Sequence, residues 1–109
     1  MAQPDDRPAV VDGDLVTAVD MVSALTSAPL RFEDGSTQVF RRDGSTIYTE
    51  RGRPTDGTWS VVEDGKFSSF WPPIYRATYL LQWIVADGER VGLRFVDAAG
   101  GRRFDGRFQ

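Results

Sequence analysis

The sequence predicts a mainly β domain: an antiparallel meander of about seven strands, closed or nearly closed into a small barrel, with one N-terminal helix. Three observations support this fold class. Apolar and polar side chains alternate along most segments after Pro29, and this period of two is typical of strands. The dipeptide Asp-Gly recurs between those segments, as it does in tight hairpin turns. Only one segment, before Pro29, has helical spacing.

The longest alternating segment runs from residue 75 to residue 85 and predicts the central strand of the sheet. Every second residue is apolar or aromatic, so these side chains share one face. They are Tyr75, Ala77, Tyr79, Leu81, Trp83 and Val85. The same alternation in other segments adds Trp59, Leu93, Phe95 and Phe104 to the predicted core.

The helix is predicted over residues 14–27. An acidic residue at its start suits both the N-cap and the positive end of the helix dipole, and Pro29 ends it. One apolar stripe of the helix is formed by Leu15, Ala18, Val19, Val22 and Leu25. We expect this stripe to pack on the sheet or to close one end of the barrel. The alternative is a helix that forms a dimer.

The remaining chain divides into an arm and a single domain. Residues 1–12 contain two prolines and little apolar surface, which predicts a disordered or loosely docked arm. Residues 13–109 form one domain, whose meander covers residues 36–108. Its seven predicted strands are 36–41, 45–51, 57–62, 66–71, 75–85, 90–97 and 102–108.

Composition excludes several classes of function. The chain contains no cysteine and no histidine, which removes thiolate chemistry, the commonest general base and the commonest transition-metal ligand. We therefore expect no catalytic residue, metal or cofactor, and catalysis is the weakest hypothesis. The formal net charge of −3 argues against nucleic-acid binding, and no apolar run reaches the ~20 residues of a membrane span. The polar, acidic N-terminus predicts a cytoplasmic protein.

A short motif resembles that of known small barrels. Gly57-Thr58-Trp59 is similar to the Gly-x-Trp strand of lipocalin-like (calycin) barrels, and a turn at Gly65 and a long strand containing Tyr79 follow it. Together with Asp97 and Gly106, these positions resemble a group of small bacterial β-domains of uncharacterised function. The resemblance implies a bacterial lipocalin-like barrel and brings no activity with it.

The segment Trp71-Pro72-Pro73 is the most unusual local sequence. Two consecutive prolines cannot donate hydrogen bonds to a sheet, so they separate two strands with a stiff loop. This loop is interpreted either as the rim of a ligand site or as a rigid connection whose aromatic residues fold into the core.

Arginines supply twelve of the thirteen basic residues. Five of them alternate with apolar residues on predicted strands: Arg76, Arg90, Arg94, Arg103 and Arg107. One interpretation is a solvated sheet face with weak ion pairs. The other is a groove in which arginines bind a carboxylate or a phosphate.

Two hypotheses for function remain. The first is a small-molecule binding module that holds a small apolar or anionic ligand in an aromatic pocket. Its predicted ligand-binding residues are Trp71, Tyr75, Tyr79, Trp83, Arg76 and Arg94. The second is a protein-interaction domain that presents the Trp71-Pro72-Pro73 loop and the arginine-rich face. An interior cavity of ~300 Å³ or more would favour the first. We expect a monomer or weak homodimer, because the charges on the last strand oppose edge pairing.

Overall fold

The computed structural model describes residues 10–99 and 101–109, and these form a closed antiparallel barrel of eight strands with one α-helix. The predicted fold class is confirmed. The helix α1 is Ala18–Thr26. The strands are β1 Leu30–Phe32, β2 Thr37–Phe40, β3 Ser45–Glu50, β4 Arg53–Val62, β5 Lys66–Trp71, β6 Tyr75–Ala86, β7 Glu89–Asp97 and β8 Arg103–Phe108. Each strand pairs with the next, and β1 pairs with β8 to close the barrel.

Strand β1 is the element that the sequence pattern missed. It has three residues, Leu30–Phe32, between Pro29 and the turn at Asp34. Three residues are too few to establish a period of two, yet this strand joins β2 on one side and β8 on the other, where Leu30 lies opposite Phe108. Because this pairing occupies both edges, the barrel has no open seam there.

The helix begins later than residue 14, and its buried face matches the predicted stripe only in part. Leu25 is buried in the core as predicted, and Met21 and Ala24 are buried with it. Leu15, Ala18 and Val19 are exposed, and Val22 is only partly buried. The reason is that the chain up to Val16 is extended. Positions 15 and 19 therefore do not belong to one helical stripe.

The extended segment before the helix completes the sheet beside β6. Strand β6 has twelve residues and pairs with β5 only as far as Tyr79. Beyond that point, the backbone of Gly13, Asp14 and Val16 forms hydrogen bonds with Leu81 and Trp83 at 2.8–2.9 Å. The edge of β6 that β5 leaves unpaired beyond Tyr79 is thus paired with the N-terminal segment.

Part of the predicted arm also takes part in this contact. Asp12 Oδ1 accepts a hydrogen bond of 2.9 Å from the backbone N–H of Val85, and Asp12 Oδ2 lies 3.8 Å from Arg94 Nη1. Residues 1–9 of the predicted arm lie outside the described residues.

Two of the six Asp-Gly dipeptides that follow Pro29 lie inside strands instead of at turns. Gly57 is within β4 and Gly106 is within β8. At Gly106, a Cβ would lie 3.0 Å from the ring of Phe32 and 3.2 Å from Cβ of Leu30. Glycine is needed there because neighbouring side chains approach the backbone closely. The β3–β4 turn instead uses Arg51 and Gly52, both with positive φ.

The core occupies the end of the barrel that α1 covers. Met21 and Leu25 belong to one buried cluster with Phe40, Trp59 and Trp83. Trp59 Nε1 donates hydrogen bonds to the backbone oxygens of Arg41 and Ser45 at 3.0 and 3.1 Å. Phe104, predicted to be buried, is 38% exposed because it lies near the other end of β8. No helix in the described ranges is long and apolar enough to cross a membrane.

Candidate functional site

A cavity of about 430 Å³ occupies the end of the barrel away from α1. On two strands the residue that lines the cavity differs from the residue in the core cluster, whereas Phe67 of β5 and Phe95 of β7 belong to both. On β2 the cavity residue is Gln38 and the core residue is Phe40, and on β6 they are Tyr79 and Trp83. The volume exceeds the ~300 Å³ at the low end of ligand sites. The barrel is therefore filled at one end and hollow at the other.

Aromatic residues supply half of the described residues that line the wall. They are Phe32, Tyr48, Phe67, Trp71, Tyr79, Phe95 and Phe104. These rings contact one another, with centroids 5.5 Å apart for Phe67 and Phe95 and 6.4 Å apart for Phe32 and Tyr48. Such tilted and edge-to-face pairs stabilise one another beyond their buried area. The wall is consequently a connected ring network that would present flat apolar faces to a ligand.

Trp71 closes one side of this wall because residue 57 is a glycine. A Cβ placed on Gly57 would lie 2.5 Å from Cε3 and 2.6 Å from Cζ3 of the indole. Any residue other than glycine would place a Cβ in the volume that the indole occupies. With glycine at position 57, the ring can lie directly over the β4 backbone. The ring of Tyr48 packs edge-to-face against the indole of Trp71, with centroids 6.3 Å apart.

Polar groups interrupt the aromatic wall in the interior. Gln38 donates from Nε2 to Thr46 Oγ1 at 3.0 Å, and the Thr46 hydroxyl donates to the carbonyl oxygen of Val39 at 2.8 Å. Ser69 also lines the cavity and is only 4% exposed. Its hydroxyl forms no hydrogen bond with another residue in the described ranges. Every fully buried side-chain oxygen or nitrogen in those ranges has a partner, so an unpartnered hydroxyl must be accessible to solvent. The Ser69 hydroxyl is therefore accessible from the cavity.

Tyr79 is a half-buried phenol in the wall. Burial raises its pKa above the ordinary value of 10.0, and the neighbouring Tyr75 and Asp97 raise the pKa further because they disfavour a phenolate. Tyr79 is thus a neutral hydrogen-bonding group at physiological pH. It is not poised to act as a base.

The rim carries charge of mainly one sign. Among the charged residues that line it, Glu33 and Asp34 contribute carboxylates and Arg103 contributes one guanidinium, whereas the carboxylate of Asp105 binds Arg94, which does not line the cavity. Asp34 accepts hydrogen bonds from the hydroxyl and backbone N–H of Ser36 at 2.6 and 2.9 Å. These bonds lower the pKa of Asp34 below 3.8, and the bond from the Ser36 hydroxyl has the larger effect.

Two of the six predicted ligand-binding residues line the cavity. They are Trp71 and Tyr79. Tyr75 lies next to Tyr79 but is 61% exposed on the outer part of the rim.

The other three predicted residues lie elsewhere. Trp83 is buried near the helix end, where the guanidinium of Arg90 lies 4.6 Å from its ring centroid. Arg76 lies over the ring of Phe70 at 4.6 Å. Arg94 binds Asp105 through a 2.9 Å hydrogen bond from Nε, which raises the pKa of Arg94. The strand period correctly put both arginines on the outer face, so neither reaches the interior.

Several cavity residues escaped the sequence interpretation. Phe32 belongs to the missed strand β1, and Gln38 and Ser69 are polar residues at inward positions of β2 and β5. The available signal was alternation: Gln38 is two residues from Phe40, and Ser69 lies between Phe67 and Trp71. A polar residue on an otherwise apolar face indicates a site that water or a ligand can reach.

The cavity wall combines apolar rings with a few polar groups. Among the residues described, no group of three or more histidine, cysteine, aspartate or glutamate residues is placed to hold a metal ion. The wall instead offers aromatic faces, neutral hydroxyls and one amide. Comparison of the chain with protein-family models, with curated proteins and with solved structures gives no match.

Proposed function

We propose that this protein binds one small organic molecule in the aromatic cavity of its barrel. The observation that carries this proposal is a hollow of about 430 Å³ whose wall is made of seven connected rings. A domain that needed only a stable core would gain by burying these rings completely, because apolar surface left in contact with water does not contribute to stability. A lipocalin-like relationship, suggested by Gly57 and Trp59, would agree with such a role.

A thermal-shift measurement with neutral aromatic compounds tests the proposal. With 4-ethylphenol at ten times its dissociation constant, we expect the melting temperature to rise by about 5–10 °C, because a ligand that binds only the folded state stabilises it. A panel of such compounds that leaves the melting temperature unchanged up to their solubility limit would refute the proposal.

A variant that fills the cavity supplies the matched comparison. Ser69→Leu adds an apolar side chain at an inward position of β5 and should abolish the shift while the circular dichroism spectrum is retained. Ser60→Leu makes the same change at an exposed position of β4 and should keep the full shift. Equal shifts for both variants would place the ligand outside the cavity.

The loop after β5 favours a second candidate function. Ile74 is 85% exposed and Tyr75 is 61% exposed, beside the two prolines that stiffen their backbone. Exposed apolar residues in a rigid loop are typical of contacts with a protein partner. Replacing both residues with serine separates the candidates, since small-molecule binding in the cavity should survive this change and a loop-mediated interaction should not.

A further inference from the structure

The cavity has different chemistry at its inner end and at its rim. Inside, the Ser69 hydroxyl is open to the cavity, and Gln38 presents the remaining part of its amide after donating to Thr46. A buried polar group gains most from a partner that replaces its lost water. The inner end would therefore favour a ligand that carries a hydroxyl or another hydrogen-bonding group.

Among the described residues that line the cavity, the carboxylates outnumber the cations. Asp105 is already neutralised by Arg94, at 2.9 Å between Nε and Oδ1. Glu33 and Asp34 remain at the rim, opposed among the described lining residues by Arg103, and Arg51, outside the lining, also attracts the carboxylate of Asp34. The two arginines that were expected to attract an anion, Arg76 and Arg94, do not line it.

The rim aromatics also attract positive charge. The protein's own Arg102 holds its guanidinium 5.4 Å from the ring centroid of Phe104. The faces of Phe32 and Tyr48 lie in the same wall, close to the turn that carries Glu33. Aromatic faces and nearby carboxylates together favour an organic cation, because both interactions are electrostatic attractions to the same charge.

We propose that the ligand is an aromatic compound with a hydrogen-bonding group at one end and a positive charge at the other. The ring lies between the aromatic walls, the polar group reaches Ser69 and Gln38, and the cation remains at the rim near Glu33 and Asp34. This assignment rests on the proposed function, and it replaces the expected apolar or anionic ligand with a cationic one.

Isothermal titration calorimetry with three matched phenols tests this selectivity. The probes are tyramine, which is cationic at pH 7, neutral 4-ethylphenol, and anionic 3-(4-hydroxyphenyl)propionate. Tyramine should bind about three- to tenfold more tightly than 4-ethylphenol, and the propionate should bind more weakly than both. If 4-ethylphenol binds and tyramine has no advantage, the inference is overturned while the proposed function stands. If none of the three binds, both fail.

Single substitutions then locate the two ends of the ligand. Glu33→Gln should reduce the advantage of tyramine over 4-ethylphenol about two- to fivefold, and Arg103→Gln should increase it by a similar factor. Glu63→Gln removes the same charge at an exposed position outside the lining and should leave the ratio unchanged. Equal effects of Glu33→Gln and Glu63→Gln would reject a specific role for the rim.

The inner end has its own comparison. Ser69→Ala should weaken tyramine about three- to tenfold while changing phenethylamine, which lacks the hydroxyl, less than twofold. An equal loss for both amines would show that Ser69 shapes the cavity and does not hold the polar group. That result would overturn the proposed orientation of the ligand.

Discussion

The indole of Trp71 lies over the backbone of Gly57, and a Cβ at residue 57 would come within 2.5 Å of that ring. This pair fixes one wall of the cavity, since the ring can lie across β4 only where no side chain intervenes. It also explains why an Asp-Gly dipeptide is found in the middle of a strand, where no turn requires a glycine.

Gly57→Ala should displace Trp71. We expect a loss of about 1–3 kcal/mol in the free energy of unfolding, as for other overpacked sites, together with weaker ligand binding. Chemical denaturation measures the first effect and calorimetry the second. In a double-mutant cycle with Trp71→Ala, the cost of Gly57→Ala should largely disappear. An undiminished cost in the Trp71→Ala background would show that the two residues are not coupled.

The buried face of α1 gives a second prediction. Met21 is fully buried and Val19 is 90% exposed, although both belong to the same nine-residue helix. Met21→Ala should lower the free energy of unfolding by about 2–5 kcal/mol. Val19→Ala should change it by less than about 0.5 kcal/mol, as is usual for exposed positions. Thermal denaturation measures both changes. A larger loss of stability for Val19→Ala than for Met21→Ala would contradict the described helix face.

The sequence predicted the fold more completely than the site, and the reason is physical. Alternation and turn residues are local properties, so β2 to β8 could be placed within a few residues of their observed bounds. Strand β1 is too short for a period to emerge, and its pairing with β8 joins residues from opposite ends of the chain. The start of α1 was misjudged because residues 14–16 pair with β6, which no local preference encodes.

The cavity could be predicted only in part. Alternation correctly placed Tyr79 and Trp83 on the inner face of β6, but it could not say which of them lies near α1 and which near the open end. That distinction depends on the stagger of the strands around the barrel. For the same reason, Phe104 was expected in the core although it lies at the rim.

Two turns should make the stability depend on acidic pH. Asp34 and Asp43 each accept hydrogen bonds from the hydroxyl and backbone N–H of the serine two residues later, which lowers both pKa values below 3.8. The stabilisation is therefore fully present above pH 3.8 and is lost as the pH falls through the lowered pKa values. Carboxyl chemical shifts followed by NMR should show both groups titrating below 3.8.

Asparagine substitutions supply the control for this pH dependence. Asp34→Asn and Asp43→Asn remove the titrating groups, so the melting temperature of the double variant should change less between pH 5 and pH 2 than that of the unaltered protein. Identical pH profiles for the two proteins would assign the acid sensitivity to other carboxylates.

The three tryptophans allow the most direct test of ligand binding in the cavity. Trp71 lines it, whereas Trp59 and Trp83 are packed in the core near α1, and the indole N–H of Trp59 is held by two backbone oxygens. In a titration of ¹⁵N-labelled protein with 4-ethylphenol, each indole N–H resonance would be assigned through its Trp→Phe variant. We predict a saturable shift of the Trp71 resonance, with little change at Trp59 and Trp83. No shift at Trp71, or parallel unsaturable shifts at all three, would contradict a ligand site in the barrel.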